Sequence, residues 1–194
     1  MFENLEKYQI VLASNSPRRK ELLQRLGLDF KVRTLLGVDE SYPEKLKGEE
    51  IARYISLQKA KAYRPTMADN ELLITADTIV CTTDGHVLGK PFAFEQAAEM
   101  LHMLSGKTHH VITGVTIVTK ERTETFAVNS AVKFAELSDK EINYYIENYL
   151  PYDKAGAYGI QEWIGLVAVE ELHGSFFNVM GLPVQRLYNV LKNF

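Results

Sequence analysis

Gln9-Ile10-Val11-Leu12-Ala13-Ser14-Asn15-Ser16-Pro17-Arg18-Arg19-Lys20-Glu21-Leu22-Leu23-Gln24-Arg25-Leu26-Gly27 is the stretch that decides how this chain folds. Residues 9–13 are a short apolar run of strand length. Ser16 suits an N-cap, Pro17 the first helical position and Gly27 the C-terminal stop. Leu22, Leu23 and Leu26 recur at helical spacing, so one face of the helix is apolar. The pattern predicts a strand, a tight polar loop and a helix.

Arg18 and Arg19 fall in the first turn of that helix, where unpaired N–H groups and partial positive charge favour Asp or Glu. The placement costs a few tenths to about 1 kcal/mol unless an anion is present. A polyphosphate would reverse the sign, because the Ser14 and Ser16 hydroxyls, the N–H groups and the guanidinium forks all suit it. The alternative is a pair of solvated surface arginines. The loop is not a Walker-type P-loop: no Gly precedes the helix and no Gly-Lys-Ser/Thr follows.

The 194 residues suffice for a substantial core, and 46% hydrophobic with 24% charged residues is ordinary for a soluble globular protein. A net charge of −3 argues against a nucleic-acid coat but allows a local basic pocket. The single cysteine, Cys81, excludes an internal disulfide and a Cys-cluster metal site, and fits a reducing compartment. No apolar segment reaches membrane-spanning length, and residues 1–6 lack a signal-peptide pattern. The expectation is a cytoplasmic protein with no membrane and no nucleic-acid partner.

Three acidic and basic positions further along carry chemical interest. Residues 29–36 read as a second strand, followed by the acidic turn Gly37-Val38-Asp39-Glu40-Ser41, where a carboxylate can serve as a metal ligand or simply be solvated. Residues 48–63 read as a helix with Ile51, Tyr54, Ile55, Gln58 and Ala62 on one stripe, which Lys59 flanks. The bland reading of Lys59 is an ammonium reaching water from an apolar face. Residues 72–81 are the strongest buried strand, and Asp77 sits inside it. An ionised Asp costs several kcal/mol to bury unless paired, hydrogen-bonded or metal-bound, so its presence there needs a cause. The competing reading ends the strand early and starts a turn at Asp77.

Thr82-Thr83-Asp84-Gly85-His86 carries a hairpin signal, and Gly89-Lys90-Pro91 puts another lysine on the following loop. A helix with Phe94, Ala97, Leu101 and Leu104 inward ends at Ser105-Gly106. His109 and His110 open the next strand, residues 111–118; they face opposite sides, so they read as structural. Residues 125–134 form its hairpin partner. Ser138 and Glu141 make a capping box for a helix burying Ile142, Tyr145, Ile146 and Tyr149. Asp153-Lys154-Ala155-Gly156-Ala157-Tyr158-Gly159-Ile160-Gln161 lets main chain approach a ligand and ends on an amide that both donates and accepts. Residues 166–169 read as a short strand, 174–183 as a loop, and 184–191 as the last helix.

Together these segments resemble the Maf family of nucleoside triphosphate pyrophosphatases. The resemblance rests on Leu12-Ala13-Ser14-Asn15-Ser16-Pro17-Arg18-Arg19, Glu40, Lys59-Ala60, Ala76-Asp77-Thr78, Gly89-Lys90-Pro91, Leu104-Ser105-Gly106, the 153–161 run and Gly181-Leu182-Pro183, in order over nearly the whole chain. The 153–161 run looks like the dTTP/UTP branch rather than the 7-methyl-GTP branch. Glu162-Trp163 departs from the family, which more often has Gly directly after the Gln.

The resemblance implies an α/β (mixed α+β), Maf/ITPase-like fold: an elongated, curved mixed sheet flanked by helices. It implies one domain over residues 1–194, with two lobes around a cleft and no separable linker. The implied activity is metal-dependent hydrolysis of dTTP and UTP to the monophosphate and pyrophosphate, a house-cleaning reaction that extends to modified pyrimidine nucleotides. Asp77 would be the proton acceptor. Arg18, Thr78 and Gln161 would govern substrate choice, and Glu40, Lys59 and Lys90 would complete the polar cleft. Ser14, Ser16 and Arg19 join the substrate-binding set, while Glu40 and Asp77 would hold Mg²⁺ or Mn²⁺. A homodimer is a further expectation. Two other readings stand beside this one: a pyrophosphatase for a modified purine triphosphate, and a nucleotide-binding regulator linked to septum formation.

Overall fold

A computed structural model describes residues 2–35 and 37–194. In chain order the elements are β1 (Gln9–Leu12), α1 (Pro17–Arg25), β2 (Lys31–Val32), α2 (Glu49–Tyr63), β3 (Glu71–Thr82), β4 (Val87–Leu88) and α3 (Phe94–Leu104). They continue with β5 (Thr108–Val118), β6 (Thr123–Phe134), α4 (Asp139–Tyr149), α5 (Trp163–Val167), β7 (Val169–His173), α6 (Phe176–Met180) and α7 (Val184–Lys192). The strands order as β2-β1-β3-β5-β6-β7, with β4 on β3. Pairing is parallel for β1 with β2 and β3, and antiparallel for β3 with β4 and β6 with β7. The mixed α/β class is thus as expected.

The chain divides into two compact units: residues 1–77, 113–128 and 181–194, and residues 78–112 and 129–180. In the first, Val11, Ala13, Ala60, Tyr63, Met67, Leu73 and Val118 form a buried cluster. β1 and β3 supply it because both are apolar on both faces, the pattern of parallel strands covered on each side.

Helix α2 turns a different face inward from the one its large residues suggest. Ile51 and Ile55 are buried, but with Ala52, Ser56, Ala60 and Tyr63, while Tyr54 and Gln58 are half-buried and Ala62 is exposed. The cause is Gly114 of β5. A methyl group there would lie 2.1 Å from the Ala52 carbonyl oxygen, so the missing side chain lets helix and strand close on their small residues. Buried polar groups along this contact pair with one another. Ser56 Oγ lies 3.1 Å from Thr116 Oγ1, and the Thr75 hydroxyl donates to the Ser56 carbonyl at 2.7 Å.

The expected strand over 29–36 shrinks to Lys31–Val32; Leu36 lies outside the described residues. Tyr63 explains the early end. Its hydroxyl accepts from the Leu35 N–H at 2.7 Å and donates to the Arg33 carbonyl at 3.2 Å, taking groups a strand would otherwise pair.

In the second unit, of residues 166–169 only Val169 is in a strand. Helix α5 covers Trp163–Val167 and β7 follows. Gly165 permits the helix, since a methyl there would lie 1.7 Å from the Ile160 carbonyl oxygen, and Leu166 projects into solvent at 85% exposure. β7 is a charged edge strand whose Glu170 reaches Lys133 at 2.9 Å. The supposed loop over 174–183 contains α6, too short for periodicity to reveal, with Asn178 Nδ2 donating to Val111 O and Ser130 Oγ at 3.0 Å each. Tyr149 is only half-buried, stacked on the buried Tyr145 at 5.1 Å.

His109 and His110 fall as expected on opposite sides. His110 is half-buried, with Nδ1 3.1 Å from Asn129 Oδ1. His109 is fully buried, its ring edge-on to Phe134 and Tyr158 and its Nε2 2.8 Å from the Tyr158 hydroxyl. Burial lowers its pKa from 6.5 to about 4, with the neighbouring His110 adding to the effect. Between these values the unfolded chain binds a proton that the folded protein refuses. The stabilisation is therefore complete above pH 6.5 and is lost as the pH falls toward 4, by about 3 kcal/mol. Urea unfolding from pH 7 to 4 should show this fall in the native protein, and His109→Gln should lack that component of the pH dependence.

Candidate functional site

The strand–loop–helix at the start of the chain forms as its sequence predicts. Ser16 caps α1 by accepting the Arg19 N–H at 3.4 Å, Pro17 opens the helix, and no acidic residue occupies the first turn. Ser14 Oγ accepts the Ser16 N–H at 3.2 Å, which tightens the loop. Arg18 stands half-buried in the first helical turn.

Arg19 turns inward. β1 ends at Leu12, paired with Ile74, and the Ala13 N–H still donates to the Ile74 carbonyl; beyond that point β3 runs on. Arg19 Nη1 donates to the next outward carbonyl, Ala76, at 2.9 Å. Its Nε donates to the Gly181 carbonyl at 2.8 Å, and Nη1 also lies 3.5 Å from Ser14 Oγ. The guanidinium thus ties the loop, the strand beside Asp77 and the turn before α7 together. Burial pulls its pKa down, while the Asp77 charge opposes that shift. The Gly-Leu-Pro signal at 181–183 was visible in the sequence, but not that its carbonyl receives Arg19.

Asp77 is inside β3 and 7% exposed; the strand continues to Thr82, so the early-ending reading fails. The cause of a buried carboxylate is Lys59. Its Nζ lies 2.7 Å from Asp77 Oδ1 and 2.8 Å from Glu40 Oε1. The Lys59 side chain is 13% exposed and that of Glu40 is 49% exposed. The Asp77 contact is therefore the less screened and stronger of the two, and removing Lys59 would strand Asp77. Lys59 does not snorkel: it binds an acidic turn and a central strand from the middle of α2.

Lys59 alone does not balance the two carboxylates, and the Arg19 guanidinium, within electrostatic reach of both Asp77 and Glu40, offsets the remaining charge. Among the described residues no three His, Cys, Asp or Glu side chains gather as a metal site. Two hard oxygen donors nevertheless fit an ion such as Mg²⁺, which commonly takes one or two carboxylates and completes its shell with water and substrate phosphate. Alongside, a hollow of about 380 Å³ is lined by Leu35, Val38, Asp39, Tyr54, Gln58 and Ala62, among others. That is the destination of the α2 residues expected in the core.

Thr78, Lys90 and Gln161 belong to the second unit. Thr78 follows Asp77 along an unbroken strand, so the two side chains point to opposite faces. Lys90 is exposed after β4, and Gln161 is exposed before α5. The loop of Lys90 and the run ending at Gln161 are joined within this unit, because the Gly156 N–H donates to the Gly89 carbonyl at 3.0 Å. Gly156 has φ of 68° and presses so closely on β3 that a methyl group would lie 2.9 Å from Val80 Cγ2. Glycine is required there on both counts. Sequence reasoning missed the roles of Tyr145 and Lys154: Tyr145 read as a core residue, and its hydroxyl accepts the Gly159 N–H at 3.0 Å.

The Maf-like protein family matches residues 9–194. A dTTP/UTP pyrophosphatase of Parabacteroides distasonis is 62% identical over 100% of both chains, and one of Phocaeicola vulgatus is 61% identical over 99% of both. Among solved structures, a HAM1 protein from Coxiella burnetii is similar with a TM-score of 0.44 and 14% identity, over 67% of this chain and 74% of that one. By the family match and these full-length relatives, the chain belongs to the Maf-like protein family.

Proposed function

We propose that this protein hydrolyses dTTP and UTP between the α- and β-phosphates, giving the nucleoside monophosphate and pyrophosphate. The relatives that are 62% and 61% identical over their full lengths carry the dTTP/UTP pyrophosphatase name. The observation that carries the chemistry is the Lys59 ammonium held between Asp77 and Glu40, drawn from a helix, a strand and a loop.

Phosphoanhydride hydrolysis needs the triphosphate charge neutralised and water delivered in line with the leaving pyrophosphate. The bonds that Ser14 and Ser16 make within the loop use their oxygen lone pairs, which leaves the O–H donors for phosphate oxygens. Arg18 and the N-terminal N–H groups of α1 add charge and further donors. Lys59 orients the Asp77 carboxylate, and Asp77 accepts a hydrogen bond from the attacking water and takes up its proton. An ordinary aspartate, with a pKa of about 3.9, is a weak base at neutral pH, so orienting the water carries much of its effect. Glu40 and Asp77 would hold Mg²⁺ or Mn²⁺, which when bound acidifies water and neutralises phosphate oxygens. Thr78, Lys90 and Gln161 are the proposed further substrate contacts, with Gln161 reading the base. Arg19, by contrast, is read as a clamp that holds the loop rather than as a phosphate ligand.

Purified protein with Mg²⁺ or Mn²⁺ should release pyrophosphate from UTP and dTTP, and excess chelator should abolish this until either ion is restored. Release of orthophosphate alone would reject the reaction. Asp77→Asn should lower kcat at least about hundredfold while near-ultraviolet circular dichroism stays native. The two arginines should separate: Arg18→Lys raises KM severalfold at native stability, whereas Arg19→Lys costs about 1 to 3 kcal/mol in chemical denaturation.

A further inference from the structure

Gln161 is exposed and lies two residues after Gly159. Yet it lies in a turn closed by the Glu162 N–H donating to the Gly159 carbonyl at 3.0 Å. A methyl group at Gly159 would sit 2.8 Å from the Gln161 amide nitrogen and 3.0 Å from the Glu162 carboxyl carbon, so both side chains lie close over that glycine. The turn is held at both ends by one buried network. The fully buried Tyr145 donates its hydroxyl hydrogen to Glu162 Oε2 and accepts the Gly159 N–H at 3.0 Å. Glu162 Oε1 pairs with Lys154 Nζ at 3.1 Å, and that ammonium, 8% exposed, also binds Asp153 Oδ1 at 2.7 Å.

The charge logic is specific. A buried lysine needs a carboxylate, and the exposed Asp153 supplies only a partly screened one. Glu162 supplies the second, and its other oxygen fixes the direction of the Tyr145 hydroxyl, which leaves a phenol lone pair for the Gly159 N–H. Gly159 and Glu162 are then anchored to α4 and to Lys154, on either side of the exposed Gln161.

We infer that Glu162 is a positioning residue for substrate choice, acting through Tyr145 and the Gly159 N–H to hold Gln161 where it reads the base. The inference rests on the proposed reading of Gln161. Glu162→Ala and Tyr145→Phe, the second keeping the buried ring, are compared with Gln161→Ala and the Glu162→Ala/Gln161→Ala double variant. Two readouts are taken: steady-state kinetics with UTP and CTP, and amide hydrogen exchange at Gly159.

Each single network variant should raise KM for UTP about 5- to 20-fold with a much smaller change in kcat. The preference for UTP over CTP should shrink by a similar factor, and Gly159 exchange should quicken at least tenfold. In the Gln161→Ala background, Glu162→Ala should have little further effect on nucleotide preference. A full, additive effect in the double variant, or unchanged Gly159 exchange, overturns the inference. A native protein that leaves UTP intact rejects the proposed function instead, and the exchange measurement still judges the network.

Discussion

A carboxylate inside a central strand sets the terms for the first unit. Asp77 cannot be buried as an anion without a partner, and the partner is Lys59 from α2. For that contact to form, α2 must lie close against the sheet, which Gly114 allows by leaving room for the Ala52 backbone. The β3 strand must also extend past the end of β1, which Arg19 allows by donating to the buried Ala76 carbonyl there. The acidic turn at Glu40 then shares the same ammonium. One electrostatic requirement thus connects helix packing, strand length and the site.

The second unit solves a similar problem with different parts. Lys154 is buried between two carboxylates, and the hydrogen bonds of Glu162 pass on through Tyr145 to the backbone at Gly159. In both units a buried lysine with two acidic partners fixes a polar side chain whose natural place would be water. The arrangement favours a defined geometry over raw stability, since an apolar replacement of a buried ion pair is often as stable. That is the trade expected where a position matters for chemistry.

Much of this was legible in the chain. Ser16, Pro17 and Gly27 marked the ends of α1, Ser138 and Glu141 marked the start of α4, and the apolar run around Asp77 marked both a strand and an anomaly within it. These signals are local, arising from caps, ring constraints and burial cost within a few residues. The errors were of another kind. Size and spacing favour Tyr54, Gln58 and Ala62 for the core, whereas Ala52, Ser56 and Ala60 are the buried small residues, Ala52 meeting a glycine 62 residues away. The end of helix α5 reads as part of a strand over 166–169 because Leu166 and Val167 are apolar, though both are exposed.

The sequence by itself determined the strand–loop–helix at the start and the need for a compensating partner at Asp77, because propensity, capping and desolvation act through neighbours along the chain, while the mixed α/β class followed from the family resemblance. Only the tertiary structure decided which lysine answers that need, that Arg19 is spent on carbonyls of Ala76 and Gly181, and that Glu162 and Tyr145 hold the turn at Gln161. Those outcomes depend on contacts between residues far apart in sequence, and such contacts are chosen by shape and packing, which no short stretch of residues encodes.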